Sequence, residues 1–382
     1  MNILYITHYT SLYGANKSLL RMMDQMTLKG LKPFVIVPLI EEGGLIAELE
    51  KRSIQYAVFR YSQWMYSGKK DIFDKLEQRY KSYKAAIGIY YKIKEWNIDI
   101  VHTNSSVIEV GALAAALSGI PHIWHIREFG EEDYNLKFDR GIEKATNFME
   151  QHSEYIITIT DSLKNKYKNF ISDSKLVRIY NGVDINEIKL SKYPKGLDKI
   201  NFLLVGLLHE NKGQEEAIRA IELLVKQEVK NVHLYLVGDG PYKNKIEKMI
   251  RHKSLDEYIT LLGHLNDLND IRGRCHIALM CSRAEAFGLV TVEAMLAGMP
   301  VIGAASGGTV EIIQNGVTGL LYTPKDEKSL SEKMLYFIQN PNHIQKIGLE
   351  GYKRAKSLFT SEKNAEEIIK LYYQVLKTRS KL

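Results

Sequence analysis

Residues Ser282 to Gly319 read SRAEAFGLVTVEAMLAGMPVIGAASGGTVEIIQNGVTG. The stretch sets two carboxylates, Glu285 and Glu293, eight positions apart around Phe287-Gly288-Leu289-Val290. Residues 290–297 (VTVEAMLA) read as the first turns of a helix. That start puts the backbone N–H groups of Gly288 to Thr291 among the donors with no intrahelical acceptor, where an anion is stabilised. Glu285 then belongs to the preceding loop and Glu293 lies about one turn inside the helix. A negative group with hydroxyls on both sides fits such a site, and a nucleotide-sugar diphosphate has that shape. The plain alternative is two solvated carboxylates. It loses weight because Ala284, Ala286, Phe287, Val292 and Ala294 surround both acids. Acids buried unpaired in such a run would cost roughly several kcal/mol, so they call for ligand hydroxyls, cations or helix-end donors. A ligand is the favoured partner.

Around this block the chain alternates short apolar runs with helical stretches. Strands are expected at Ile3–Thr7, Pro33–Pro38, Ala57–Phe59, Ile100–Thr103, His122–His125 and Tyr155–Thr160. In the second half they are expected at Asn201–Val205, Val232–Val237, Ile259–Leu262, Ile277–Met280, Val301–Gly303 and Gly319–Tyr322. This βαβα order implies an α/β protein with parallel sheets covered by helices. At 382 residues the chain suits two domains, and the polar stretch 184–199 with Pro194 and Gly196 is the expected linker. Hydrophobic residues at 45% and charged residues at 25% are ordinary for a soluble globular protein. No apolar run approaches the ~20 residues of a membrane span, and residues 1–10 lack a cationic leader segment. Cys275 and Cys281 lack metal spacing, so neither a disulfide framework nor a zinc site is expected and a reducing cytoplasm fits. No Asp-x-Asp motif offers to hold a diphosphate through a metal.

The motif EAFGLVTVEAMLAGMPVI, with SGGTVEII and NGVTGLL after it, resembles the signature of the family 4 retaining glycosyltransferases. VGLLHENKG (205–213) is similar to that family's phosphate-contact loop, VGDGP (237–241) to its next strand end, and IYNGVD (179–184) to the segment before its linker. The resemblance implies the GT-B fold, two Rossmann-like domains facing a cleft. The expected acceptor-side domain is 1–186, completed by a returning C-terminal helix at 361–380; the expected donor-side domain is 197–358.

It also implies residue roles. Glu285 would accept hydrogen bonds from the donor sugar and Glu293 from the ribose. Lys212, Gly206, Phe287, Gly288, Leu289 and Val290 would surround the diphosphate, with Gly14 and Ala15 from the loop after the first strand. Gly263 and His264 would lie at the base. His125, in WHIREF, matches the family's cleft histidine and joins Glu285 as a catalytic candidate; His102 and Thr103 shape the same rim. The loop at Gly14 does not satisfy GxxxxGK[ST], so nucleotide triphosphate binding is not expected. The implied reaction is metal-independent, with transition-state charge on the departing diphosphate met by backbone donors and cations. Where many relatives have Gly-Arg, this chain has Gly206-Leu207; Lys212 remains, and Arg283 is a nearby cation that would compensate.

Residues 51–94 hold eleven Lys/Arg against three Asp/Glu, a local +8 that exceeds the whole chain's +7. Trp64, Tyr66, Tyr80, Tyr83, Tyr90 and Tyr91 are interleaved with these cations. Such a surface suits an anionic membrane face and, with it, a lipid-linked acceptor; nucleic acid is not expected, because no binding module accompanies the tract. Two readings stay open. One is an active hexosyltransferase using a UDP-sugar in preference to a GDP-sugar, attached peripherally to the inner membrane face. The other is a catalytically weak subunit that binds a partner or a glycan.

Overall fold

The computed structural model describes residues 1–39, 43–191 and 198–379. The chain divides into two compact units, Met1–Gly182 joined by the segment from Ser361, and Val183–Thr360. Part of the expected linker, residues 192–197, lies outside the described residues.

The first unit is built on a seven-stranded parallel sheet. Its strands are β1 (Asn2–Ile6), β2 (Lys32–Pro38), β3 (Gln55–Phe59), β5 (Ile100–Thr103), β6 (His122–Ile126), β8 (Tyr155–Thr158) and β9 (Leu176–Arg178), in the order β3-β2-β1-β5-β6-β8-β9. β4 (Met65–Tyr66) and β7 (Lys137–Phe138) form a separate antiparallel pair. In the central strands β1, β5 and β6 nearly every side chain is buried, which explains why they read as unbroken apolar runs rather than alternating ones. The final helix, Ser361–Arg379, lays Ala365, Ile368, Leu371, Tyr372 and Val375 into the same core as Leu19, Met22, Met23 and Met26 of the helix Gly14–Leu28. Each buried Ile, Leu, Val or Met among them contributes about 1.5–3 kcal/mol, so the helix from Ser361 is integral to the first unit.

The second unit carries β10 (Ile200–Val205), β11 (Val232–Val237), β12 (Ile259–Leu261), β13 (Ile277–Met280), β14 (Val301–Ala304) and β15 (Gly319–Tyr322) in the order β12-β11-β10-β13-β14-β15. Renumbered within the unit this is 3-2-1-4-5-6, the Rossmann order, and the first unit follows it with one strand added. In such sheets the chain leaves neighbouring strands in opposite directions at one point, and the loops at their carboxyl ends open a crevice there. In the two units that point lies between β1 and β5 and between β10 and β13.

Three strands differ from expectation: β4, β7 and β9 were not foreseen. β4 and β7 have two residues each, and β9 is a three-residue edge strand with one fully buried position, so none carries a run long enough to signal itself.

Candidate active site

In the second unit the loops after β10 and β13 meet at the switch point. After β10, the turn Glu210–Lys212 is capped by His209, whose ring accepts from Asn211 N–H at 3.3 Å. It ends at Gly213, which has φ +70°, and any Cβ there would stand 2.2 Å from the carbonyl oxygen of Cys281. Glycine therefore lets the turn press onto the start of the loop after β13, and Arg283 N–H donates to Asn211 O at 3.0 Å to hold the two loops together. That packing delivers Lys212 Nζ to 2.9 Å from Glu285 Oε2. Behind Glu285, Gly308 N–H donates to its carbonyl at 2.7 Å, and Gly307 (φ +51°) leaves no room for a side chain, its Cβ position being 2.3 Å from the same oxygen. The SGGT segment thus fixes the Glu285 backbone from below.

The helix following Glu285 spans Leu289–Leu296, and Gly288 supplies no side-chain cap to its amino end. Thr291 N–H donates to Gly288 O at 3.0 Å, so the donor row expected from Gly288 to Thr291 is shorter than the sequence suggested by that one group. The tightened first turn consumes it. The ring of Phe287 is also turned inward, packed edge-on against Phe359 at 5.8 Å, rather than presented to solvent. Gly288 is buried at the turn, while Leu289 and Val290 are half-buried and Gly206 has open space where a side chain would be.

Glu293 has a partner that sequence reading missed. Arg272 NH2 lies 2.6 Å from Glu293 Oε2, with the two side chains only 5% and 12% exposed. Arg272 stands on a short helix, Asn269–Arg274, twenty-one residues earlier, and nothing in its local sequence points to Glu293. The available signal was indirect: a carboxylate on an apolar helix needs a cation, and the helix Leu289–Leu296 carries none of its own. Leu207 is 39% exposed. Arg283 reaches Glu210 at 3.6 Å, so in this structure its charge is directed to a neighbouring carboxylate. His264 is exposed and meets Asn266 Oδ1 at 3.2 Å beside Gly263, whose carbonyl accepts from Gly238 N–H.

In the first unit, Asn16 bonds the carbonyls of Tyr9 and Ser11 and folds the loop after β1 back onto the helix start at Gly14 and Ala15. His125, on β6, is wholly buried. Its Nδ1 lies 3.1 Å from His102 Nε2 and 3.4 Å from Arg127 NH2, while its Nε2 has no partner among the described residues. Burial first, then the Arg127 charge, holds both His102 and His125 well below the ordinary imidazole range, so both rings are neutral. Arg127 itself is pushed down to about 10 by burial and is anchored by Asn104, Ser18 and Asn181. Glu128 accepts from Ser105 Oγ, Ser106 Oγ and Ser106 N–H, and burial raises its pKa. Thr103 is bonded to His122 at 2.7 Å and takes no part in this cluster.

The basic tract separates into core and surface. Trp64 is buried, stacked on Trp124 at 5.6 Å and donating to Ser106 O, so it is not the surface anchor that the sequence suggested. A tryptophan's indole stabilises the interior once its N–H finds an acceptor. The helix Ile72–Glu95 instead exposes Ile72, Phe73, Leu76, Tyr80, Tyr83 and Tyr91. No helix among the described residues is long and apolar enough to cross a membrane.

The model for "Glycosyltransferase Family 4" matches residues 14–187, and that for "Glycosyl transferases group 1" matches residues 186–354. An uncharacterized glycosyltransferase of Methanocaldococcus jannaschii is 27% identical over 91% of this chain and 99% of its own. The capsular polysaccharide biosynthesis glycosyltransferase CapM of Staphylococcus aureus is 27% identical over 58% of this chain and 62% of its own. Among solved structures, Anabaena HepE in complex with UDP and glucose aligns over 100% of both chains with a TM-score of 0.77 at 22% identity, a likeness of fold. Matched by the two family models from residue 14 to residue 354, the chain has the GT-B fold and belongs to the family 4 glycosyltransferases.

Proposed function

We propose that this glycosyltransferase is a retaining, metal-independent hexosyltransferase that takes a sugar from a nucleotide diphosphate and passes it to a glycan or lipid-linked acceptor in surface polysaccharide or glycoconjugate synthesis. The observation that carries the reading is the Lys212–Glu285 pair, 2.9 Å apart at the β10/β13 switch point beside an uncapped helix start. With 27% and 17% side-chain exposure the pair is accessible, and such a pair is worth no more than about 1 kcal/mol, so a ligand can readily exchange it. A diphosphate arriving at the helix start takes Lys212, and the released Glu285 carboxylate accepts from donor-sugar hydroxyls. Glu293, held by Arg272, serves the ribose. As the glycosidic bond breaks, the leaving oxygen gains charge that Lys212 and the helix-end donors stabilise. Neutral His125 serves as a hydrogen-bonding group toward the sugar or acceptor, and no protein nucleophile is assigned.

A UDP-sugar is favoured because structural neighbours include HepE in complex with UDP and with UDP-glucose; CapM supports a polysaccharide role. The aromatic and aliphatic stripe on Ile72–Glu95, with Lys69, Lys70, Lys81 and Lys84 in the same tract, supports peripheral attachment to an anionic membrane face. A second reading, a weakly active subunit that binds a partner or glycan, is favoured only by Leu207 at the usual arginine position. Calorimetric titration of UDP-, GDP- and ADP-sugars, with chelator in place of metal, tests the proposal. Selective binding of one UDP-sugar supports it, and absence of binding to every donor transfers the weight to the second reading. Retention is read separately, from the anomeric configuration of the product.

A further inference from the structure

A chain of buried hydrogen bonds in the first unit runs from the final helix to His125. The Tyr5 hydroxyl lies 3.2 Å from the Tyr372 hydroxyl, which lies 2.6 Å from His102 Nδ1; His102 Nε2 then lies 3.1 Å from His125 Nδ1. Tyr5, His102, His125 and Tyr372 are all 0% exposed, so the chain is shielded from bulk solvent. Its far end is His125 Nε2, which has no partner among the described residues.

The direction of the protons follows from the other neighbour of His125. Arg127 NH2, 3.4 Å from His125 Nδ1, can only donate. A proton on that nitrogen would face the guanidinium N–H, so Nδ1 carries the lone pair. His102 Nε2 must then be the donor in the bond between the rings, which leaves His102 Nδ1 as an acceptor. Tyr372 O–H is the group that supplies its proton. Tyr5 is not constrained in this way, because its hydroxyl also has Met26 Sδ at 2.7 Å as an acceptor.

We propose that Tyr372, from the C-terminal helix, is a positioning residue that acts through His102 to keep the proton of His125 on Nε2. His125 thereby meets its ligand as a neutral hydrogen-bond donor, not as a base. The use of that donor toward a sugar or acceptor oxygen rests on the proposed function; the relay itself does not. A buried polar group left without its partner is costly, so the loss of the one hydroxyl that donates to His102 is felt two residues away, at His125.

Nitrogen-15 NMR of the histidine rings in the full-length, ligand-free chain tests this directly, with the His125 signals identified by their loss in His125→Gln. The native protein is expected to show His125 Nε2 as the protonated nitrogen and Nδ1 as the lone-pair nitrogen. Tyr372→Phe is expected to move both toward the averaged positions of mixed tautomers, whereas Tyr5→Phe leaves them in place. A proton on Nδ1 in the native protein, or an unchanged His125 spectrum in Tyr372→Phe, overturns the proposal. A proton on Nδ1 in the native protein overturns the proposal whether or not Tyr372→Phe folds. Because no nucleotide is present, failure of donor binding elsewhere faults the function and leaves this result intact.

Discussion

The two units share a strand order but use their switch points in opposite ways. In the second, charges face one another: Lys212 against Glu285 at the accessible rim and Arg272 against Glu293 in the interior. In the first, burial has made the polar groups neutral or fully bonded, with two uncharged histidines joined to tyrosine and one buried arginine held by amide and hydroxyl oxygens. One Rossmann-like scaffold thus presents exchangeable charge and the other presents fixed hydrogen-bond direction. The first property suits an anionic leaving group. The second suits the orientation of hydroxyls.

The largest effect expected to sharpen this contrast is on stability. Arg272→Ala strips the partner from a buried carboxylate and should destabilise the second unit by about 3–5 kcal/mol, whereas Lys212→Ala should cost about 1 kcal/mol or less; calorimetric melting of both variants compares them. Equal losses would erase the distinction between interior and rim pairs. Next comes Glu285→Ala, which should lower transfer by about 100-fold or more, the scale of a lost transition-state contact, with an unchanged melting profile. Full activity in a donor-turnover assay would remove Glu285 from the site. Leu207→Arg should then tighten nucleoside diphosphate binding by about 1.5–3 kcal/mol, roughly 10- to 100-fold, as a charge-assisted hydrogen bond is restored. No gain on titration would mean that the rim already holds sufficient charge. The smallest effect per residue concerns the first unit's surface. Replacing Lys69, Lys70, Lys81 and Lys84 by Gln should weaken sedimentation with anionic liposomes, at about 1 kcal/mol per cation, while neutral liposomes report no change.

Much of this was legible in the residues. Twelve apolar runs marked twelve strands of the two sheets, most plainly the central ones, because strands buried on both faces cannot hide their composition. The acids at 285 and 293 advertised a need for partners for the same reason: carboxylates in an apolar run are costly when alone. Which partner each took was not legible. Arg272 meets Glu293 across twenty-one residues and Lys212 meets Glu285 across seventy-three, and contacts at such separations are set by sheet order rather than by local pattern. The relay behind His125 was hidden more deeply, since Tyr372 lies 270 residues from His102. Trp64 misled because basic neighbours in the sequence do not share its face: its own indole is in the core.

The measurement that tests the central claim most directly is a paired titration of UDP and a UDP-sugar into the native chain and Glu285→Ala. If Lys212 and the helix start hold the diphosphate while Glu285 reads only the sugar, the variant keeps or gains affinity for UDP, its Lys212 being freed, and loses affinity for the UDP-sugar. An equal loss for both ligands, or none for either, would contradict the division of labour assigned to this site.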